Sequence, residues 1–414
     1  MHSVFKIAWR NLLRYWRRTL LTAGLITVGV VAVLLFVALA GSFKALMIGQ
    51  FTDSVLGHLE IHKKGYVASL DNLPLGMNMG PSQWERAESV LKTTDTVSSY
   101  SPRIKFGGLF SNYTETTNIR VNGIDPDKEQ ATVPLLRGRI IDGKAEGLLE
   151  RGQILVPELM AKGMEVKVGD TVVVVATNRD GSVNGQNFVV RGVVSGLSGP
   201  GGRDAYIHID DARRILRITT SEVSEVLVRL NSLSNLSTTV AKLETAFVGD
   251  LTPQGKPMFE VHGWDKLSPF AHIAKMIDLL TLFIKIMLVS IVLISIMNVM
   301  IMAVYERIRE IGTISAIGTP PHRILGLFLT EGLLLGVFGS VVGSLLSVGA
   351  VMILNVRKVS FAFGQQDNIV LAPSISAADV VTACVVVIVV AMLASLQPAW
   401  KAARMDPIAA LRHI

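Results

Sequence analysis

Few residues in this chain have the types and spacing for chemistry. In Gly57-His-Leu-Glu-Ile-His62, the side chains of His58, Glu60 and His62 alternate with Leu59 and Ile61. Alternation puts both imidazoles and the carboxylate on one face of a strand, where they could ligate a metal. A half-buried strand with a polar outer face explains the same pattern, and that is the expectation. The stretch GDLTPQGKP, Gly249 to Pro257, has the outline of a phosphate loop. Its two glycines are one residue too far apart, however, and Pro257 stands where Ser or Thr would hold Mg²⁺, so it reads as a plain loop. Glu331 is the one acid well inside a long apolar run, which makes it a functional suspect. Its place near the start of that run favours an ion pair with Arg307 or Arg309 over a transport site. Cys384 is the single cysteine and lies in an apolar run, as a small buried residue would. No catalytic residue and no metal site are assigned, and enzyme activity is not expected of this chain.

The elements that hold these residues are those of a membrane protein. Half of the 414 residues are hydrophobic, more than a soluble chain of this size carries. The net charge is +7, and Lys6, Arg10, Arg14, Arg17 and Arg18 supply five positive charges with no acid among them. A basic cluster beside an apolar run points to an anionic membrane face, so the lipid bilayer is an expected partner and nucleic acid is not.

Four runs exceed the roughly 20 residues that cross about 30 Å of hydrocarbon. They place spans at 19–42, 273–304, 324–354 and 375–400. Ala38-Leu39-Ala40 imitates a signal-peptidase site, but the apolar core before it is longer than a signal peptide's, so an uncleaved anchor is expected. Basic residues crowd positions 1–18, 305–323 and 401–414. With four spans these all fall on one side, which makes both termini cytoplasmic. Residues 43–272 are then outside, with a short outer loop at 355–374.

The fold class expected is an α-helical membrane protein with four transmembrane helices and a large α+β extracytoplasmic domain between the first two. Strand patterns appear at His58–His62, Asn118–Ile124, Thr171–Ala176, Phe188–Ser195, Ala205–Ile209 and Glu225–Leu230. Helical patterns appear at Pro81–Lys92, Asp211–Arg217 and Ser237–Val248, and turn material at 178–181 and 198–202. The domain is large enough for its own core, as one body or two subdomains. Before the first span, Phe5, Ala8, Trp9, Leu12, Leu13 and Trp16 face away from Lys6, Arg10, Arg14 and Arg17, the pattern of an interfacial helix on the cytoplasmic leaflet.

Between the second and third spans comes Tyr305 to Leu325, YERIREIGTISAIGTPPHRIL. Glu306, Arg307, Arg309 and Glu310 arrive together, and Ile308, Ile311, Ile314 and Ile317 recur at threes as an apolar stripe suited to a groove. Gly312 and Gly318 permit close approach or a cap, and Pro320-Pro321 end the helix. This is a docking element. In the third span Gly332 and Gly336, Gly339 and Gly343, and Ser340 and Ser344 form rows of small residues. Such rows let helices pack closely, within one subunit or at a dimer seam.

These residues carry a resemblance. The second span, ERIREIGTISAIGT, and a third span with an early Glu-Gly resemble the permease domain of FtsX-like ABC transporters, the MacB or type VII class. The tail PAWKAARMDPIAALR at 398–412 is similar to that family's closing pattern. The resemblance implies an inner-membrane permease that works as a dimer, with a second copy or a paralogue, above a dimer of separate ABC ATPase subunits. ATP and Mg would be bound by that ATPase, with no cofactor in this chain. It further implies that Glu306, Arg307, Arg309, Glu310, Ile311, Gly312, Thr313, Ala316, Ile317 and Gly318 form the coupling element to the ATPase. Such machines transmit force across the membrane instead of passing substrate through it.

With no ATPase ahead of the first span, the chain differs from the macrolide-exporter type. Its size is closest to the lipoprotein-releasing permeases. For those, a substrate cavity would be lined by the outer ends of the first two spans: Val37, Leu39, Phe43, Met47, Phe270, Met276, Leu279 and Leu280. One departure is that Thr171–Ala176 and Phe188–Ser195 are joined by a segment too short for a carrier-docking hook. Docking of a periplasmic lipoprotein carrier or adaptor by such a hook is therefore in doubt. Release of lipoproteins or lipids is the leading expectation. Tripartite export of small molecules or peptides, and signalling to a periplasmic enzyme, are the alternatives.

Overall fold

A computed structural model describes residues 2–143, 147–195, 203–268, 270–358, 360–363, 366–406, 408 and 410. The turn expected at 198–202, and Pro407, Leu411 and Arg412 of the closing pattern, lie outside the described residues. The chain opens with helices α1 (His2–Arg14) and α2 (Trp16–Phe51). Ten strands follow: β1 (Leu59–Lys63), β2 (Val97–Ser111), β3 (Thr116–Ile124), β4 (Ile140–Gly143), β5 (Gln153–Pro157), β6 (Thr171–Thr177), β7 (Val183–Val194), β8 (Asp204–His208), β9 (Glu225–Leu230) and β10 (Phe259–Gly263). Between them lie α3 (Pro81–Thr93), α4 (Pro126–Thr132), α5 (Leu135–Gly138), α6 (Glu158–Gly163), α7 (Ile209–Ile215), α8 (Leu236–Phe247) and α9 (Trp264–Leu267). The chain then continues as α10 (Phe270–Glu306), α11 (Ile308–Ala316), α12 (Pro321–Arg357), the hairpin β11 (Ser360–Phe363) and β12 (Gln366–Val370), and α13 (Ala377–Ala403).

Two compact units result, one of Met1–Leu46 with Ala274–Ile414, the other of Met47–Ile273. In the first, four helices are long and apolar enough to cross a membrane: α2, α10, α12 and α13. Ile26, Val30 and Leu34 of α2, Val292 and Ile296 of α10, Phe328 and Leu335 of α12 and Ala391 and Ala394 of α13 share one core. The glycines of α12 set how closely the helices approach. A Cβ at Gly332 would collide with Ser395, and one at Gly336 would lie 2.8 Å from the Ala391 methyl. One at Gly339 would lie 2.6 Å from Ile26, and one at Gly343 2.7 Å from Val30. The first pair seats α13 and the second pair seats α2, so these glycines pack helices of the same chain. A break at Tyr15 separates α1 from α2. Phe5, Trp9, Leu13 and Trp16 stay exposed, while Ala8 is buried.

In the second unit the strands form one sheet in the order β10-β1-β9-β2-β3-β8-β5-β7-β4, with β6 pairing β2 and β7. Leu59, Ile61, Val226, Val228 and Val261 from one end of the sheet pack on Val90 and Leu91 of α3 and Leu243 and Phe247 of α8. Further along, Ile104, Phe106, Val121, Val156 and Ile207 pack with Met160, Ala212 and Ile215 from α6 and α7. One sheet runs through both cores, so the unit is not divided in two at the level of its strands. Each strand expected from the sequence is present within a few residues, and β7 starts five residues earlier than its apolar pattern. The β6–β7 connection is therefore a tight turn, closed by the Asn178 N–H donating to the Ser182 carbonyl at 2.8 Å, with Gly181 at positive φ. Four strands of the sheet, β2, β4, β5 and β10, were not expected. The sequence of β2, VSSYSPRIKFGGLFS, hides the longest of them behind a proline, two glycines and two cations.

Candidate functional site

The connection from α10 to α12 is the candidate site. Arg307 breaks the helix and serves as N-cap residue of α11. Ile308, Ile311 and Gly312 are buried, and Ile311 joins the core of the membrane unit. Ile314 is 40% exposed and Ile317 81%. The expected four-isoleucine stripe is therefore corrected: half of it faces inward and half outward. The reason is the helix period. Each step of three falls about 60° short of a full turn, so Ile308 and Ile317 end on opposite sides. Thr313, Ala316 and Gly318 are exposed with Ile317. The end of α11 is a Schellman cap, with the Thr319 N–H donating to the Ile314 carbonyl (3.3 Å) and the Gly318 N–H to that of Ser315 (3.0 Å). Gly318 has φ +93°, a conformation that glycine adopts without penalty. Pro320 and Pro321 then start α12.

An ionic network holds the inward side. Arg307 Nη1 donates to both oxygens of Glu331, at 3.0 and 3.3 Å, and its Nε donates to Glu310 at 3.2 Å. Both partners of the first pair are buried. Tyr15 and Phe328 place their rings 5.6 Å from the guanidinium carbon. Asn11 Nδ2 donates to Glu331 Oε1 at 3.0 Å, the Tyr15 hydroxyl donates to Glu310 at 3.2 Å, and Arg18 donates to Glu306 at 3.1 Å. The network thus ties α1 to α11 and α12, and the start of α2 to the end of α10. Of the two partners considered for Glu331, Arg307 is in direct contact with it. Asn11 and Tyr15 were missed. Ala8, Asn11 and Tyr15 recur at i, i+3 and i+7, and a neutral amide on that face was the available signal.

The residues expected to line a cavity are dispersed in burial. Val37 and Leu39 are half-buried on α2, and Phe43 is exposed. On α10, Met276, Leu279 and Leu280 are all more than half exposed. Lys44 Nζ holds Asp278 at 2.6 Å between these two stretches. Met47 is buried and Phe270 half-buried.

GHLEIH departs furthest from expectation. Its polar residues are not an outer face: His58, Glu60 and His62 are all buried, as are Leu59 and Ile61. β1 lies inside the sheet between β9 and β10, and the side chains of both its faces are buried. His62 stands opposite Glu225 of β9 and Glu260 of β10, and Glu60 opposite His262. His62 Nε2 is 3.1 Å from Glu60 Oε2 and 3.7 Å from Glu225 Oε2. His58 turns elsewhere, its Nδ1 accepting from the Leu230 N–H at 3.1 Å. Burial pulls the His62 imidazole towards the neutral form, but Glu225 and Glu60 outweigh it and push the group up to about 9. Burial likewise raises the Glu225 carboxyl, and Lys105, His62 and Arg103 more than reverse that, holding it well below the usual range.

Two family models match the chain. Residues 19–246 match the MacB-like periplasmic core domain, and residues 282–407 the FtsX-like permease C-terminal region. Among curated proteins, the chain is similar to the lipoprotein-releasing system transmembrane protein LolC of Neisseria meningitidis, with 23% identity over 95% of this chain and 94% of that one. The LolC of Xylella fastidiosa is 24% identical over 80% of this chain and 81% of its own. The pyoverdine export ATP-binding/permease protein PvdT of Pseudomonas savastanoi is 39% identical, over 27% of this chain and 15% of its own. Among solved structures, the periplasmic region of MacB from Actinobacillus actinomycetemcomitans covers 50% of this chain and 89% of its own, at 15% identity and a TM-score of 0.34. The chain, with four spans and a periplasmic-type α/β unit between the first two, belongs to the MacB-type, FtsX-like family of ABC transporter permeases.

Proposed function

We propose that this chain is the permease subunit of a complex that releases lipoproteins or lipids from the inner membrane, driven by a separate ATPase dimer. The observation that carries the reading is the two-sided α11. Its inner side is locked to the chain's own helices by Arg307, Ile308 and Ile311, and its outer side leaves Ile314 and Ile317 uncovered. In this reading α11 lies on the cytoplasmic face, where Glu306, Arg309, Thr313, Ala316, Ile317 and Gly318 meet the ATPase. Arg307 and Glu310 pass its closure to α1 and α12. A second permease, identical or paralogous, would cover Phe43, Met276, Leu279 and Leu280, with acyl chains held between. Relatives named for lipoprotein release, matched over most of both chains, support this reading. The tight β6–β7 turn leaves no room for a hook, so a carrier would dock elsewhere.

The shorter match to pyoverdine export proteins favours export as the second reading. The two are separated by purifying the chain with its ATPase and identifying bound molecules by mass spectrometry. Acylated lipoproteins or lipids released on addition of ATP are expected. A complex that hydrolyses ATP but carries only soluble small molecules would overturn the first reading.

A further inference from the structure

Glu60, His62 and Glu225 meet in the interior of the sheet, and nothing in the permease mechanism uses them. One ligand-type atom from each lies within 4.8 Å of the others, and all three residues are buried. They are also unsatisfied: among the described residues, neither ring nitrogen of His62, nor Glu60 Oε1, nor Glu225 Oε2 has a hydrogen-bond partner. Buried polar atoms are rarely left so.

The neighbouring charges aim the ligands without replacing the ion. Lys105 Nζ lies 2.8 Å, and Arg103 Nη1 3.5 Å, from Glu225 Oε1. Arg103 is also bound to Glu129, its Nε donating to Oε1 at 2.9 Å. Both cations therefore hold the far oxygen of Glu225, and Oε2 is left pointing at His62. Glu260 is 3.7 Å from Lys64 and 3.6 Å from His262 Nε2. Tyr66 stacks on the His62 ring with centroids 5.3 Å apart and fixes its plane.

We propose that Glu60, His62 and Glu225 bind one divalent first-row transition cation of the zinc class, which pins β1 to β9. Bonds of about 2.0–2.1 Å in tetrahedral geometry put ligand atoms roughly 3.3–3.4 Å apart. The separations of 3.1 and 3.7 Å from His62 Nε2 bracket that value. Calcium is a poor fit, since it takes 6–8 oxygens and this site offers an imidazole and two carboxylates. Three protein ligands leave the fourth tetrahedral position to a water, and the burial restricts access to it. The site is independent of what the permease moves.

The test uses the full chain, purified in detergent with a non-histidine tag, loaded with Zn²⁺ and passed over a weak-chelator column. Retention of about one equivalent of Zn²⁺ per chain is expected, with a higher thermal midpoint when loaded. Glu60→Gln and His62→Gln should each retain less than about one tenth as much and show no thermal response to Zn²⁺. If the monodisperse wild-type chain retains no Zn²⁺, or if both variants retain as much as wild type, the proposal is wrong. Should His62→Gln fail to fold, the isosteric Glu60→Gln and the wild-type measurement still decide.

Discussion

Arg307 and Glu331 are the residues on which the membrane unit's ionic network converges, at 4% and 1% exposure. Removing one member of a buried pair strands the other charge, which costs about 3–5 kcal/mol. Glu331→Ala and Arg307→Ala should each lower the thermal stability of the detergent-solubilised chain by an amount of that order. The double variant Arg307→Met/Glu331→Leu should recover most of it, since an apolar pair leaves no uncompensated charge. A double variant no more stable than the singles would refute this account. This pair was half legible in the sequence: an intramembrane acid demands a cation, and Arg307 and Arg309 were the partners considered. The GHLEIH face was misread for an equally physical reason. Alternation reports a water-facing side only where one side of the strand is wet, and β1 is buried on both. The partners that complete it, Glu225 above all, are distant in sequence and are joined to it only by strand register.

At the scale of elements, two predictions concern helices. α12 needs glycine where α13 crosses it. Gly332→Leu should therefore reduce stability by several kcal/mol through overpacking against Ser395 and Ala391. Gly349→Leu, on the same helix with nothing within 4 Å of its Cβ position, should stay close to wild type in a thermal melt. Similar losses for both would mean that helix composition matters and contact does not. For α11, Ile317→Glu should leave membrane insertion intact while separating ATP hydrolysis from release in proteoliposomes. Gly312 is a poorer probe, because it is buried and a large side chain there would disturb the fold as well. Retained coupling in Ile317→Glu would remove α11 from the ATPase contact. The helices were the most readable elements, since long uncharged runs have few other fates. β2 was the least readable: Arg103 belongs in a strand only because Glu129 and Glu225 are there to receive it.

At the scale of the whole molecule, the exposed apolar side chains on α10 bear on how two permeases would share a substrate. Leu279→Gln and Leu280→Gln should cut release severely while leaving the isolated chain's thermal stability within about 0.5 kcal/mol, as exposed positions do. Undiminished release would displace the cavity from this stretch. The arrangement of β1 and β10 has a mechanical consequence as well. α2 enters the sheet through β1 and α10 departs from β10; these strands are hydrogen-bonded neighbours, with Leu59 opposite Gly263 at the end where both helices attach. Just outside, the Phe51 and Phe270 rings stack at 3.8 Å. Pulling the two helices apart would load that strand pair as a zipper, one rung at a time, the weakest direction in which a ladder can be stressed. Moving them together puts no load on the rungs between these two strands. Splitting Phe51 from Phe270 would thus open β1 from β10 rung by rung, whereas a joint displacement of the two would leave this ladder intact.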